Sequence, residues 1–391
     1  MPKELTAKDV EKTFDDTPAP LPSFYITPYA DPNPGQSDDY SLVYCPTSGC
    51  DINIAFFTPS DNHTTGTFGN TADDTFLCHQ RDSVAIQQFI RDKSAAGLRI
   101  LVSYIDAPSI HWSAVNRENF VRNTEGELIN GRVYTNRLME SYIPVGRMWD
   151  AETPDAAAMA SIMKACFLRG LQRDPDHYVF VYTTYDVRQI DEIILSTPID
   201  PSKDEIDKAL FDLGFTQISD FITKRGSLSF LETMSYGGTA AQRFEEADAY
   251  AVQFLAKGDA TKLTEMRKFI SIGVAPGLTS RDDAKSIAAA CDYTQGGYGR
   301  FMVWAGNCPD GMALYQLMLE QEKKPLPAPL SEPKMAVTKT PASHQTSGNQ
   351  YHFFQAWQKA HPRPSAKQEE ESLSSFLYRC TFGMLNTEES S

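Results

Sequence analysis

The chain has little that would tie it to a membrane, a nucleic acid or a metal. No run approaches the roughly 20 apolar residues of a membrane span. The opening Met1-Pro-Lys-Glu-Leu-Thr-Ala-Lys-Asp-Val10 lacks the apolar core of a secretory leader, so a cytoplasmic chain, one exported by a leaderless route, or one trimmed of its leader is expected. Basic residues are scarce: 36 Lys and Arg stand against 51 Asp and Glu, for a net charge of -15. Phosphate contact needs clustered Lys and Arg, so no nucleic-acid partner is expected, and an anionic lipid surface is disfavoured too. There is no CxxC pair and no HExxH, and the seven cysteines are odd in number and scattered. Neither a zinc site nor a disulfide framework is expected, and no cofactor. Cys45 and Cys50 are close enough to pair in an oxidising space and would be free thiols in a reducing one.

What is present suits a large soluble core. Of the 391 residues, 41% are hydrophobic and 11% aromatic, too rich for a disordered chain. Short strand-like runs alternate with helical stretches. The runs are 23–29, 51–57, 98–104, 142–149, 178–183, 228–234, 269–273 and 299–304. Several are nearly continuous apolar stretches, as in strands buried on both faces. Between them, Met159, Ile162, Met163, Cys166 and Phe167 form one helical stripe, and 83–94, 204–213, 241–256, 281–291 and 312–323 are further helices. Eight strands in this alternation predict an α/β fold, a (β/α)8 TIM barrel over residues 23–324, with an N-terminal extension over 1–22. Residues 105–141 read as one long connection, a lid or subsite wall or else a solvated insertion. A Pro/Ser/Thr-rich linker over 325–350 and an acidic segment over 351–391 complete the chain as a C-terminal linker and tail.

Catalytic groups of such barrels sit where strands end. The fourth run ends in Trp149-Asp150-Ala151-Glu152-Thr153-Pro154. An Asp-x-Glu spacing sets both carboxylates on one face of a strand, and paired carboxylates divide acid and stabilising roles when their surroundings differ. By itself the spacing more often marks the solvated start of a helix.

The context resembles glycoside hydrolase family 18, the chitinases and endo-β-N-acetylglucosaminidases. That family's strand-four signature is Asp-x-x-Asp-x-Asp-x-Glu followed by an aromatic or small residue and Pro. Asp150, Glu152 and Pro154 match its end; Asn53-Ile-Ala-Phe56, Leu98-Arg-Ile-Leu-Val-Ser103, Met234-Ser-Tyr236 and Gly299-Arg-Phe-Met-Val-Trp304 resemble its second, third, sixth and eighth strands. The resemblance runs in order over residues 23–320.

It implies retaining hydrolysis of β-1,4-linked N-acetylglucosamine, in a chitin-type oligosaccharide or an N-glycan core, by substrate-assisted catalysis. Glu152 would be the acid and base, Asp150 the support of the acetamido group and Tyr236 its hydrogen-bond donor, with Trp304 as the apolar floor. Tyr104 and Trp149 are further expected substrate contacts, and Asp106 and Asp186 candidate carboxylates at strand ends. The departures are specific. The first two acidic positions of strand four fall on Val145 and Met148, the Asp after the sixth-strand Tyr is Gly237, and the glycines ending the third strand are Ile105 and Asp106. A family 18-like barrel that binds sugar without turnover is therefore the alternative, and an unrelated TIM-barrel enzyme the third reading. The Glu- and Ser-rich C-terminus loosely resembles translocation signals of bacterial effector proteins.

Overall fold

The computed structural model describes residues 4–26, 45–57, 83–105, 112–134, 146–150, 155–184, 188–234, 236–304 and 306–322. Eight parallel strands close into a barrel: β1 (Ser23–Ile26), β2 (Asp51–Phe57), β3 (Arg99–Ile105), β6 (Gly146–Asp150), β7 (Val179–Thr184), β8 (Ser229–Thr233), β9 (Ile270–Val274) and β10 (Arg300–Val303), with β10 pairing back onto β1. The remaining strands, β4 (Glu127–Ile129) and β5 (Arg132–Tyr134), form a separate antiparallel hairpin. This is the (β/α)8 TIM barrel that the alternation predicts.

The period of two in each strand divides the core in two. Outward residues such as Phe24, Ile52, Ile100, Phe180, Leu231, Ile272 and Phe301 join the helices in one large apolar layer. Inward residues Tyr25, Leu101, Val179, Val181 and Met302 form a smaller cluster inside the barrel. The helix Ala156–Arg173 buries the whole predicted stripe, and its Phe167 stacks on Phe221 with ring centroids 3.9 Å apart. Burying side chains of this size contributes about 1.5–3 kcal/mol each. The helix Arg281–Ala290 starts where Ser280 caps the Asp283 N–H, and Glu205–Asp212 where Asp204 caps that of Asp207.

The connection over 105–141 is more built than its sequence suggests. Its described part holds a helix at Arg117–Glu125, capped by Asn116, and then the β4–β5 hairpin. Trp112, Phe120 and Val121 are buried, and Arg173 reaches Glu125 at 3.1 Å, so the helix is part of the outer layer and not a solvated insertion. At the barrel's N-terminal end, the described residues before β1 are stitched to the loop before β8. The Lys12 N–H donates to the Lys224 carbonyl at 3.0 Å, the Arg225 guanidinium donates to the Val10 carbonyl, and Val10 is buried in the outer layer. The expected linker and acidic segment over 325–391 lie outside the described residues.

Candidate functional site at the barrel mouth

The C-terminal mouth is lined by the residues just beyond β8, β9 and β10. Trp304 continues β10, its N–H donating to the Val274 carbonyl at 2.8 Å. Its indole lies 5.4 Å from the Tyr25 ring and 6.2 Å, at an interplanar angle of 21°, from that of Tyr236. Trp304 is half-buried and Tyr236 is 8% exposed, so the three rings form an aromatic floor with its edge open to the mouth.

Two neighbours fix Tyr236. Its ring lies over Gly273, where an added Cβ would come within 2.9 Å of Tyr236 Cε1, so the approach requires the absence of a side chain there. Its carbonyl accepts from the fully buried Arg243, which also donates to Thr279 Oγ1 at 3.1 Å and to the carbonyls of Gly273, Gly237 and Gly238 at 3.3 Å. Burial depresses the Arg243 guanidinium to about 10, against the pull of Asp283 and Glu246.

Beneath the floor the interior is polar. The Tyr25 hydroxyl donates to Glu232 Oε2 at 2.5 Å and lies 3.4 Å from Thr183 Oγ1. Both residues are fully buried. Burial pushes the Glu232 carboxyl above its ordinary range, opposed mainly by Arg300, and burial together with Glu232 holds the Tyr25 phenol protonated well above its own. Towards the N-terminal end, Asp51 accepts from Arg99 at 2.6 and 2.7 Å and from Arg300 at 2.6 Å.

Asp150 closes β6, in register with Ile105 on one side and Thr183 on the other. Tyr104 sits in β3 in register with Trp149. Trp149, expected among the substrate contacts, is 0% exposed and lies in the helix-facing layer beside Trp112 and Phe120, at centroid distances of 6.1 and 6.4 Å. It packs the strand from behind and does not line the mouth. Glu152, Asp106 and Asp186 lie outside the described residues. Tyr236 and Trp304 are thus brought together, with Asp150 at the end of a nearby strand. Tyr25, Glu232, Arg243 and Gly273 join the site without having been expected from the sequence. Their signal was a charged residue inside an apolar run (Leu228-Ser-Phe-Leu-Glu232) and a tyrosine in the first strand's alternate position.

A cavity of about 490 Å³ opens elsewhere, lined by Lys12, Phe14, Lys224, Lys257, Lys262 and Phe269 among others, beside the N-terminal segment and remote from the mouth. Among the described residues, no group of three His, Cys, Asp or Glu is placed to hold a metal ion, and no helix is long and apolar enough to cross a membrane.

No family model and no curated protein matches this sequence. Solved structures that resemble it include the catalytic domain of a hyperthermophilic chitinase from Pyrococcus furiosus, 13% identical over 79% of this chain and 99% of that one, with a TM-score of 0.48. A class V chitinase from Nicotiana tobaccum is 8% identical over 78% of this chain and 99% of its own, with a TM-score of 0.45. An endo-beta-N-acetylglucosaminidase from Cordyceps militaris is 11% identical over 82% and 98%, with a TM-score of 0.43. Likenesses at this level say nothing of chemistry, and the barrel stands on this chain's own strand pairing.

Proposed function

We propose that the barrel mouth binds a β-1,4-linked N-acetylglucosamine oligosaccharide, of chitin or N-glycan-core type, and hydrolyses it with retention by substrate-assisted catalysis. The observation that carries this is the aromatic floor of Trp304 and Tyr236 at the mouth of a barrel whose fourth strand ends at Asp150, with Ala151 and Glu152 next in sequence. Sugar rings present an apolar C–H face that stacks on indole, and an acidic pair at a strand end supplies the proton chemistry. In this reading Glu152 protonates the leaving oxygen and then activates water. Asp150 orients the acetamido group and stabilises the positive charge formed as that group attacks the anomeric carbon. Tyr236 donates a hydrogen bond to the acetamido carbonyl. Trp149 packs behind the strand that ends at Asp150, and Tyr104, in register with it on β3, is a further substrate contact of this reading.

Val145 and Met148 in place of acidic residues favour a second reading, a family 18-like barrel that binds the same sugar without turnover. Incubation with chitooligosaccharides and N-glycans, with mass analysis of the products, separates the two. Hydrolysis by the wild type and none by Glu152→Gln, with binding kept, supports the enzyme. Binding without products supports the lectin-like barrel, and neither binding nor products refutes both.

A further inference from the structure

Strand registry sets one polar row across the barrel wall. Asp150 on β6 pairs with Thr183 on β7, Thr183 with Glu232 on β8, Glu232 with Ser271 on β9 and Ser271 with Arg300 on β10. Adjacent strands lie about 4.8 Å apart, so the backbones at 150 and 232 are separated by roughly 10 Å, with Thr183 between them. Tyr25 enters this row from β1. Its hydroxyl touches both Thr183 and Glu232, and its ring touches Trp304. One phenol therefore joins the row that contains position 150 to the aromatic floor, and Glu232 holds that phenol.

We infer that Glu232 is a positioning residue of the barrel mouth: by accepting the Tyr25 hydroxyl it fixes the Tyr25 ring against Trp304 and the hydroxyl against Thr183. The sequence has Val145 and Met148 where the family 18 signature has acids, and a carboxyl buried in the barrel is supplied here by strand six. A phenol rotated away from Glu232 would leave a carboxyl in a dry interior without that donor, and this holds the ring in place. Titratable and charged groups face Glu232 from three elements: Tyr25 from β1, Asp51 from β2 and Arg300 from β10, with Arg99 of β3 beyond Asp51. Its two neighbours in register, Thr183 and Ser271, carry no charge. Burial raises the carboxyl's pKa, so the neutral acid persists above the usual carboxylate range, and ionisation at higher pH puts a charge directly on the Tyr25 contact.

The binding arm of the test rests on the sugar-site reading above, and its spectroscopic arm does not. In the spectroscopic arm, the share of tryptophan emission due to Trp304, isolated as the difference from Trp304→Phe, is measured against pH. The wild type is expected to show a transition as Glu232 ionises, and Glu232→Gln, an isosteric acceptor without a titration, to show none. A flat wild-type profile, or one shared by Glu232→Gln, overturns the inference. In the binding arm, calorimetry with tetra-N-acetylchitotetraose is expected to give Glu232→Gln an affinity within about twofold of wild type and Glu232→Leu one about tenfold weaker. Tyr25→Phe keeps the ring and loses the hydroxyl, and decides the matter if the leucine variant does not fold, with a loss of about threefold or more expected. Unchanged affinity in a folded Glu232→Leu or Tyr25→Phe overturns the inference. If the wild type binds no oligosaccharide, the proposed function fails, and the emission profile alone decides the role of Glu232.

Discussion

Asp51→Asn tests the charged layer at the N-terminal end of the barrel. Asp51 is fully buried and neutralises two guanidinium groups: Arg99 through two hydrogen bonds of 2.6 and 2.7 Å, and Arg300 through one of 2.6 Å. Arg300 is itself buried, with its guanidinium 3.4 Å above the Phe230 ring and one further bond, to the Leu21 carbonyl at 2.9 Å. The amide removes the carboxylate that both arginines share and turns an NH2 group towards one of them. Two like charges then face each other in a dry interior. Removing one partner of a buried pair costs about 3–5 kcal/mol. At about 2–4 °C per kcal/mol for a large domain, the melting temperature should fall by roughly 6–20 °C. Circular dichroism melts near neutral pH measure this. Arg300→Met removes one of the stranded charges, so in the Asp51→Asn background it should cost less than it does alone, by about 1–3 kcal/mol. A drop below about 2 °C for Asp51→Asn, or strict additivity in the double variant, would refute the reasoning.

Three further outcomes are expected from the same structure. Trp304→Ala should weaken chitooligosaccharide binding by about 1–3 kcal/mol, read by calorimetry, and unchanged affinity in a folded variant would put the sugar elsewhere. Burial raises the Asp220 carboxyl, but hydrogen bonds from Lys257 at 2.8 Å and from Thr216 outweigh it and hold the pKa below the usual range. Its contribution is therefore present above the ordinary carboxylate range and is lost as pH falls through the lowered value, so the stability gap between wild type and Asp220→Asn should narrow in acid; a gap that is constant with pH excludes this role. Truncation after Lys324 should leave a folded barrel whose melting temperature lies within about 10 °C of the full chain, since few core contacts are expected to cross a Pro-rich boundary; a larger drop means that 351–391 packs on the domain.

The barrel was legible in the sequence because its strands are buried on both faces. Phe24, Ile52, Ile100, Phe180 and Phe301 had to be apolar to meet the helices, and each predicted run overlaps an observed strand, with β3, β6, β7 and β9 ending one residue past their runs. The helix at Arg117–Glu125 was not legible, because Arg-Glu-Asn-Phe-Val-Arg-Asn-Thr-Glu offers two apolar residues and no stripe. Its place is set by Phe120 meeting Trp112 and Trp149, a tertiary contact that no local pattern announces. Trp149 misled for a related reason. At the end of a strand, neighbouring residues face opposite ways, so nearness to Asp150 in sequence says little about which side a ring takes. At the mouth, Tyr236 and Trp304 were readable as strand-end aromatics. The Tyr25–Glu232 pair was not, since it joins residues 207 apart.

The clasp beneath the barrel sets a timetable for synthesis. Arg225 meets the carbonyl of Val10 across 215 residues, and Ser227 meets Thr17 across 210. At about 5–20 residues per second, a ribosome needs roughly 10–40 s to make the second half of each bond. During that interval Val10 and Phe14 leave the exit tunnel with no groove to enter, and the first strands wait unclosed. The nascent chain offers apolar surface for tens of seconds, long enough for a chaperone to bind the N-terminus before its own barrel can.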